Sequence, residues 1–368
     1  MKVPFNRLDD PLYSDDKFFS GIKDIFVERS FLFGKNNSKL ILEMQNYLRV
    51  GNFLPLSSGT SALSIAIKSL NIPKGKKILI AANAGGYGRI AADISGFDVV
   101  YADCDQNGLL TANQIVGLLT EDIGAVIITH LYGQMINVLE IREICDPKGI
   151  YVIEDCAQSF GAKMENRHCG TIGHIGVFSF YPTKNIGAAG DAGGLCTDDK
   201  VVFERAEKLS QYGWSEKYKI DFSGGDNSRM DEIQAFVLLC KLPKVDVSNE
   251  SRRKIWNRYN QSIVGTKLRI LGSNEYSFVA HLAIIDAGKS KNSLISFLTE
   301  NGISSMVHYP IIDTLQNAFL DSNFDLPNSR YLSENCISIP LFPSMTAPEI
   351  DYVCEKLGVF ASSLGTND

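Results

Sequence analysis

The sequence predicts an α/β protein in which helices cover both faces of a mostly parallel β-sheet. Short apolar runs alternate with amphipathic segments through the first two-thirds of the 368-residue chain. Such alternation is typical of strand–helix–strand units, whose strands run parallel and are buried on both sides. The predicted strands cover residues 78–82, 99–102, 125–129, 151–154, 177–180 and 195–197.

The first amphipathic segment follows the turn 57-SSGTS-61. Ala62, Leu63, Ala66, Ile67 and Leu70 repeat with the period of a helix, so a helix is expected to start at this turn. Small hydroxyl residues and a glycine there leave backbone N–H groups free at the positive end of the helix dipole. The turn is therefore a candidate phosphate site, although an ordinary helix cap has the same composition.

The pattern of apolar and polar residues changes after about residue 245. A polar helix is predicted at 248–263, followed by an apolar run at 276–286, a helix near 292–300 and a closing helix near 347–357. These elements are enough for a separate α+β domain. We therefore expect a large domain at 1–245, whose first 30 or so residues form an arm, and a small domain at 246–368.

Composition excludes several classes of protein. The net charge of −6 gives no electrostatic case for nucleic-acid binding. The start MKVPFNRLDD lacks the pattern of a signal peptide, and no apolar run is long enough for a membrane span. The eight cysteines include no CxxC pair, and the five histidines form no HExxH motif. We therefore expect a cytoplasmic protein with reduced cysteines, no membrane segment and no catalytic metal.

The most informative segment runs from residue 152 to residue 197. Asp155 follows a predicted strand, and Lys184 follows the next predicted strand in a loop rich in glycine. A carboxylate that keeps a pyridinium nitrogen protonated and a lysine that forms a Schiff base are the two side chains that a pyridoxal phosphate enzyme requires. The aromatic and apolar residues before Lys184 would desolvate its amine and lower its pKa. Taken singly, Asp155 is also a candidate helix cap and Lys184 a candidate surface charge.

Two further side chains extend this interpretation, and one motif competes with it. Gln158 lies three residues after Asp155 and can reach the phenolic oxygen of the cofactor, and Ser179 is placed to touch the phosphate. In contrast, 86-GYGRIA-91 imitates the GxGxxA fingerprint of dinucleotide-binding proteins, with Asp103 at the end of the next strand. That fingerprint belongs in the first strand–helix–strand unit, whereas here a helix and the 57–61 turn precede it. An NAD-dependent oxidoreductase is therefore the rival interpretation.

Ordered motifs along almost the whole chain resemble the DegT–StrS family of nucleotide-sugar aminotransferases, which are fold-type-I pyridoxal phosphate enzymes. They are SSGTSAL at 57–63, FDVVYADCD at 97–105, ITHLYGQ at 128–134, IEDCAQSFGA at 153–162, FSFYPTKNIGAAGDAGG at 178–194, GGDNSRMDEIQA at 224–235, HYP at 308–310 and ISIPLFPSMT at 337–346. The resemblance implies an aspartate-aminotransferase-like fold, with a mostly parallel seven-stranded sheet in the large domain and a smaller C-terminal α+β domain.

The resemblance also implies a role for individual residues. Lys184 would carry pyridoxal phosphate or release it as pyridoxamine phosphate, and Asp155 would bind the pyridinium. The remaining cofactor contacts implied are Gly59, Thr60 and Ser179 at the phosphate, Gln158 at the phenolic oxygen, Tyr87 as the stacking aromatic, and Asn227 reaching the phosphate from a second subunit. Tyr181, His308 and Tyr309 would contact the substrate. The expected partner is therefore a second copy of the chain, which shares the active sites.

The substrate is inferred from finer features of the same motifs. Lys184 is present, whereas the sugar dehydratases of the family replace it, so transamination is expected. The glycine-rich tail KNIGAAGDAGG, together with YGWSEKY at 212–218, is most similar to the branch that acts on dTDP-linked 3-keto-6-deoxyhexoses, with 4-keto sugars as the alternative. Asp313 and Thr314 stand where the family usually has a histidine. We expect glutamate as the amino donor in a ping-pong cycle; a non-catalytic regulator with the same fold is the second rival.

Overall fold

The computed structural model describes residues 1–273 and 277–364. The first residue of the run predicted at 276–286 and the last four residues of the chain lie outside the described residues. The strands are β1 (Asn52–Leu56), β2 (Lys77–Ala81), β3 (Asp98–Ala102), β4 (Ile123–Thr129), β5 (Tyr151–Asp155), β6 (Lys163–Met164), β7 (Arg167–His168), β8 (Ile175–Ser179), β9 (Gly193–Thr197), β10 (Trp214–Glu216), β11 (Lys219–Ile220), β12 (Arg269–Leu271), β13 (Ala283–Asp286) and β14 (Cys336–Ile339).

The α-helices alternate with these strands in the first part of the chain and dominate the last. They are α1 (Asp16–Glu28), α2 (Lys35–Leu48), α3 (Gly59–Ser69), α4 (Tyr87–Ile94), α5 (Ala112–Ile115), α6 (Val138–Cys145), α7 (Lys200–Leu209), α8 (Glu232–Lys241), α9 (Val245–Ile263), α10 (Lys291–Glu300), α11 (Pro327–Asn335) and α12 (Ala347–Ser363).

Seven strands form one sheet in the order β1-β9-β8-β5-β4-β2-β3. The pairs β2–β3, β2–β4, β4–β5 and β5–β8 are parallel, whereas β9 runs antiparallel to β8 and to β1. The predicted α/β class with a mostly parallel seven-stranded sheet is therefore confirmed. All six predicted strands are present within two residues of their predicted bounds. The missed strand, β1, contains Pro55, which is tolerated because β1 lies at the edge of the sheet.

Helices bury both faces of this sheet. Alternate side chains of β2 point to opposite sides, so Ile78 and Ile80 join one apolar core and Leu79 joins the other. Helices α3, α4 and α7 contribute to the first core, and α2, α6 and α8 contribute to the second. Burial on both faces accounts for the nearly continuous apolar runs of the central strands.

A third apolar core belongs to the C-terminal part of the chain, here called the C-terminal lobe. The antiparallel sheet β12-β13-β14 packs with α9, α10 and α12. These three helices correspond to the helices predicted at 248–263, 292–300 and 347–357. Val3 from the start of the chain joins this core and forms a bridge with Ile303. The domain boundary at 245 falls where α9 begins and stays a prediction.

The eight cysteines form no disulfide bond, and six of them are buried. In the residues that the structure describes, no helix combines the length and the apolar character needed to cross a membrane.

The parallel strands determine where the functional loops meet. Strands that run in one direction end at one edge of their sheet. The 57–61 turn follows β1, the glycine-rich turn at Gly85 and Gly86 follows β2, and Asp155 and Ser179 are the last residues of β5 and β8. The sequence motifs that suggested chemistry are therefore gathered at this edge.

Asp313 and Thr314 lie beneath the glycine-rich turn at this edge. The Asp313 N–H donates to the Ala82 carbonyl at 2.9 Å. Its side chain is almost fully buried near Gly86 and Arg89, and its Oδ1 has no hydrogen-bond partner among the described residues. The Thr314 hydroxyl is buried there and also lacks a hydrogen-bond partner in the described parts of the chain. Burial raises the pKa of Asp313 to about 7, although the Gly86 N–H and the Arg89 charge oppose this shift.

We expect Asp313→Asn to remove part of the pH dependence of stability. A carboxyl whose pKa is higher in the folded than in the unfolded state costs stability as pH rises from about 4 to about 7, because only the unfolded state ionises freely. Relative to the wild type, the free energy of unfolding of Asp313→Asn should rise by about 2–3 kcal/mol between pH 5 and pH 8. Urea unfolding at several pH values measures this difference. Asp325→Asn, which changes an exposed residue, is the control. If the free energy of unfolding depends on pH in the same way in the wild type and in Asp313→Asn, the expectation is contradicted.

Candidate active site

A cavity of about 490 Å³ lies between the loops at this edge of the sheet and the C-terminal lobe. Ten of the eleven residues predicted for the site line it: Gly59, Thr60, Tyr87, Asp155, Gln158, Ser179, Tyr181, Lys184, His308 and Tyr309. Asn227 is the exception. A second cavity, of about 550 Å³, reaches Lys184 from the side of the N-terminal segment and α9. Lys184 lies where the two cavities meet.

Asp155 ends β5 on the wall of the first cavity and is almost fully buried. One carboxylate oxygen accepts the Ala157 N–H at 3.0 Å, and the other lies 3.3 Å from the Thr129 hydroxyl. Burial raises the pKa of Asp155, and these hydrogen bonds and the charge of Lys184 oppose the shift only in part. A cation beside the carboxylate, such as a protonated ring nitrogen, would favour its ionised form.

Lys184 lies in the loop between β8 and β9. Burial lowers the pKa of its amine, and the charge of Asp155 opposes that shift only in part. A lowered pKa leaves more of the amine unprotonated near neutral pH, as a nucleophile or a base requires. The next residue, Asn185, fixes the loop, since its amide bonds to Asn249 of α9 at 2.7 Å and to the His281 ring at 2.8 Å.

The turn after β1 forms an anion site with the end of β8. Helix α3 begins at Gly59, and the hydroxyl of its cap residue Ser58 accepts the Ser61 N–H at 3.1 Å. The first-turn N–H groups of Gly59 and Thr60 have no acceptor within the helix. A Cβ at Gly59 would lie 2.7 Å from the Ser179 Cβ, so the missing side chain leaves room beside these donors.

Gln158 and Tyr309 are bonded to each other on the cavity wall. The Gln158 amide donates to the Tyr309 hydroxyl at 3.0 Å and accepts the Tyr132 N–H at 2.7 Å, and its second N–H has no acceptor among the residues that the structure describes. The Tyr309 ring meets the Tyr87 ring edge-on, with 6.3 Å between their centroids. Tyr87 is half exposed and lines the cavity, so its ring is accessible to a ligand.

The two remaining predicted substrate contacts differ in exposure. Tyr181 is exposed at the cavity mouth. The His308 ring bonds to the Ser338 hydroxyl at 2.8 Å and stacks with Phe5. Burial and the charge of Lys184 lower the pKa of His308 to about 4, so its ring is neutral at neutral pH.

Asn227 lies outside the cavity. It is exposed, and its side-chain oxygen accepts a hydrogen bond from Arg229 at 2.8 Å. Its segment lies beside the 57–61 turn in space, since the Ser57 N–H donates to the Ser228 carbonyl at 2.9 Å. The structure therefore does not bring Asn227 to the other predicted residues, and its role across a subunit boundary stays a prediction.

Sequence reasoning missed two buried polar residues of the cavity, Arg252 and His281. Arg252 lies on α9, whose abundant polar residues gave no sign that this one is buried. His281 interrupts the apolar segment VAHLAII, and a polar residue within such a run is a signal that would have found it. Its ring is neutral because burial and the positive charges of Lys184 and Arg252 keep its pKa well below the usual value.

Packing explains several glycines that follow Lys184. A Cβ at Gly187 would lie 2.3 Å from the Pro182 carbonyl oxygen. At Gly193 it would lie 2.3 Å from the Ser58 backbone, and at Gly194 it would lie 2.6 Å from the Phe53 ring. These glycines allow the loop and β9 to approach the 57–61 turn.

The dinucleotide-like motif is blocked by its own surroundings. Gly85 and Gly86 adopt positive φ angles in the turn before α4. A Cβ at Gly85 would lie 2.8 Å from the Tyr309 ring, and Asp313 lies under Gly86. Tyr309 and an acidic group therefore occupy the place where a pyrophosphate would need free backbone N–H groups.

His130, Glu154 and Cys156 are buried within 4.8 Å of one another, as metal ligands are. However, Glu154 accepts the N–H groups of Gly170 and Ile172. His130 accepts the Ile136 N–H at Nδ1, so its Nε2–H donates to Glu154 at 2.9 Å. The cluster is thus satisfied by hydrogen bonds that hold the strand before Asp155.

Two curated relatives are similar to this chain over most of its length. The UDP-N-acetyl-3-dehydro-alpha-D-glucosamine 3-aminotransferase of Acidithiobacillus ferrooxidans is 31% identical over 91% of this chain and 91% of its own. A protein named pleiotropic regulatory protein, from Geobacillus stearothermophilus, is 32% identical over 92% of this chain and 93% of its own.

A solved structure has the same fold. The crystal structure of DesV from S. venezuelae, in complex with a ketimine intermediate, superimposes with a TM-score of 0.92 and 26% identity over 100% of both chains. The model of the DegT/DnrJ/EryC1/StrS aminotransferase family matches residues 13–358. The chain therefore belongs to the DegT/DnrJ/EryC1/StrS aminotransferase family.

Proposed function

We propose that this protein is a pyridoxal phosphate-dependent aminotransferase that moves an amino group from glutamate to a keto sugar linked to a nucleotide. The observation that carries the proposal is that Lys184, Asp155 and the anion site at Gly59 line one cavity. Pyridoxal phosphate that transfers an amine between two substrates needs a lysine to hold it, a carboxylate beside its ring nitrogen and an anchor for its phosphate.

The residues fit this cofactor at three points. The N–H groups of Gly59 and Thr60 and the Ser179 hydroxyl would hold the phosphate, and a side chain at position 59 would fill that cradle. Asp155 would bind the ring nitrogen, whose charge offsets the cost of burying the carboxylate. The free amide N–H of Gln158 would reach a ring oxygen.

When bound, pyridoxal phosphate supplies an electron sink for the substrate carbon that loses its proton. Lys184 Nζ, whose pKa burial lowers, removes the proton from the α-carbon of glutamate, and in the second half of the cycle it delivers a proton to the sugar carbon that receives the amine. His281 and His308 are neutral, so neither adds a competing charge beside Lys184. Leu282, Ile339 and Leu341 form an apolar wall that limits access of water.

For the acceptor, we propose a dTDP-linked 3-keto-6-deoxyhexose, which would become the 3-amino sugar. Support comes from the resemblance at 184–194 and 212–218. The name of the A. ferrooxidans relative also specifies amination at C3, although of a UDP-linked sugar. The carbon that receives the amine is thus the same in both arguments, while the nucleotide differs. A 4-keto sugar is the alternative for the same site.

A second copy of the chain is the proposed partner. Along α1, α2 and the turn between them, large apolar side chains are exposed, and the most exposed are Phe26, Val27, Phe33 and Leu42. An apolar surface of this kind typically marks an interface. Arg229, which bonds to Asn227, has its guanidinium carbon 6.0 Å from the Phe33 ring centroid. A copy that covers this surface would therefore meet Asn227, which suits a residue that acts in the partner's site.

A regulator that only binds ligands is the rival that the name of the G. stearothermophilus relative raises. Regulation would not require a lysine of lowered pKa facing a buried carboxylate, so the geometry favours catalysis. The oxidoreductase rival is disfavoured by Tyr309, which covers the glycine-rich turn.

The purified protein should show the visible absorbance of bound pyridoxal phosphate, and glutamate should remove it. A keto sugar nucleotide that is a substrate should restore it; we expect dTDP- or UDP-linked 3-keto sugars to do so and 4-keto sugars not. Lys184→Ala should lower the rate of both steps about 1,000-fold or more, because the base and the anchoring amine are lost together. Lys244→Ala, in the second cavity, is the control. A wild-type protein that takes up no cofactor would favour the regulator.

A mixture of two inactive variants should show whether the site is shared between subunits. Lys184→Ala and Asn227→Ala would be given different tags and co-expressed, and the heterodimer would be purified. If Asn227 acts in the partner's site, one of the two sites is intact, and the heterodimer should have about half of the wild-type activity. A heterodimer no more active than the parent homodimers would show that Asn227 acts within its own subunit or not at all.

A further inference from the structure

Arg252 is a buried cation at the junction of the two cavities. It lies on α9, is 4% exposed and lines both cavities together with Lys184. Its Nη1 donates to the Leu341 carbonyl at 3.0 Å and lies 3.4 Å from the His281 carbonyl. These two carbonyls hold the guanidinium group in place from one side.

The other side of the guanidinium group has no partner in the described parts of the chain. Its Nε is buried without a hydrogen bond, and its Nη2 donates to no acceptor there. No carboxylate of the described residues lies within ion-pair distance, and burial lowers the pKa of Arg252 to about 10. A buried cation without a counter-charge is costly, so this position favours an anion that arrives as a ligand.

The neighbouring Arg253 differs from Arg252 in its ion pairing. It is also buried on α9, but it pairs with Glu250 and lines neither cavity. The two arginines thus share a helix and a charge and differ in whether a carboxylate is supplied by the protein.

Arg252 is tied to the loop of Lys184 by a short series of contacts. It contacts the backbone of His281, whose ring bonds to Asn185 at 2.8 Å, and Asn185 is adjacent to Lys184 in the chain. Because Arg252 and Lys184 also line the same two cavities, a molecule that reacts at Lys184 and carries a carboxylate close to its reacting carbon is bound beside both residues.

We propose that Arg252 binds a carboxylate of the amino donor through its Nη2 group, whose N–H groups have no acceptor among the described residues. This inference rests on the proposed function, in which the donor is a dicarboxylate. A guanidinium N–H group donates a charge-assisted hydrogen bond to a carboxylate oxygen, and such a bond is shorter and stronger than one between neutral groups. The keto sugar has only hydroxyl and keto groups around its reacting carbon C3, and its diphosphate is attached two carbons away, at C1. The α-carboxylate of glutamate, in contrast, is bonded to the reacting carbon itself. The donor thus suits an arginine beside Lys184 better than the acceptor does.

Binding of glutarate, which is glutamate without its amino group, tests this role without any turnover. Its affinity for the pyridoxal phosphate-loaded protein would be measured by calorimetry, with dTDP as a probe of the nucleotide site. Arg252→Gln should weaken glutarate binding about 10- to 100-fold, the usual effect of losing a charge-assisted hydrogen bond. The affinity for dTDP should change by less than about threefold, and Arg253→Gln should leave both affinities unchanged. Arg252→Lys keeps the charge but not the planar guanidinium group, so its glutarate affinity should fall between those of the wild type and Arg252→Gln. It replaces Arg252→Gln in the experiment if that variant does not fold.

Two results would overturn the inference: a glutarate affinity that is unchanged in Arg252→Gln and Arg252→Lys, or a dTDP affinity that is weakened as much as that of glutarate. The second result would assign Arg252 to the diphosphate or to the general integrity of the cavity. Failure of the proposed function is recognised separately. If glutarate binding depends on Arg252 but glutamate does not discharge the wild-type cofactor, the carboxylate site stands and the choice of donor is wrong.

Discussion

The common direction of the parallel strands is the constraint on which the site depends. Because β1, β2, β5 and β8 all run the same way, the turns that follow them meet at one edge. Asp155 and Ser179 belong to strands that are hydrogen-bonded neighbours, and Gly59 packs against Ser179. Rigid strands therefore fix the acid and the anion site relative to each other, while Lys184 is placed by a loop that Asn185 anchors.

Burial then determines the charges of the site. The same desolvation that lowers the pKa of Lys184 raises the pKa of Asp155 and keeps His281 and His308 neutral. The cavity thus holds an amine whose pKa is lowered and a carboxyl whose ionised form a neighbouring cation would favour. Arg252 keeps its charge without a counter-ion among the described residues, so the site offers a fixed positive group to an anionic ligand.

The sequence was sufficient for residues whose function follows from their place in the chain. Asp155 and Ser179 could be predicted because each ends a strand that is recognisable from its apolar run, and Lys184 because of the loop around it. In contrast, Arg252 could not be predicted, since helical periodicity does not distinguish a buried arginine from a solvated one on a polar helix. The surroundings of Asp313 depend on contacts with Gly86 and Arg89, which are remote in sequence. Asn227 depends on a surface that a second chain would have to cover.

The central claim, that Lys184 holds the cofactor, is tested most directly by reduction with borohydride followed by peptide mapping. Borohydride makes the bond between a lysine amine and pyridoxal phosphate permanent, and mass spectrometry then locates the modified residue. The account predicts one modified lysine per chain, Lys184. A modification on a different lysine, or none in protein that has been incubated with the cofactor, would contradict it.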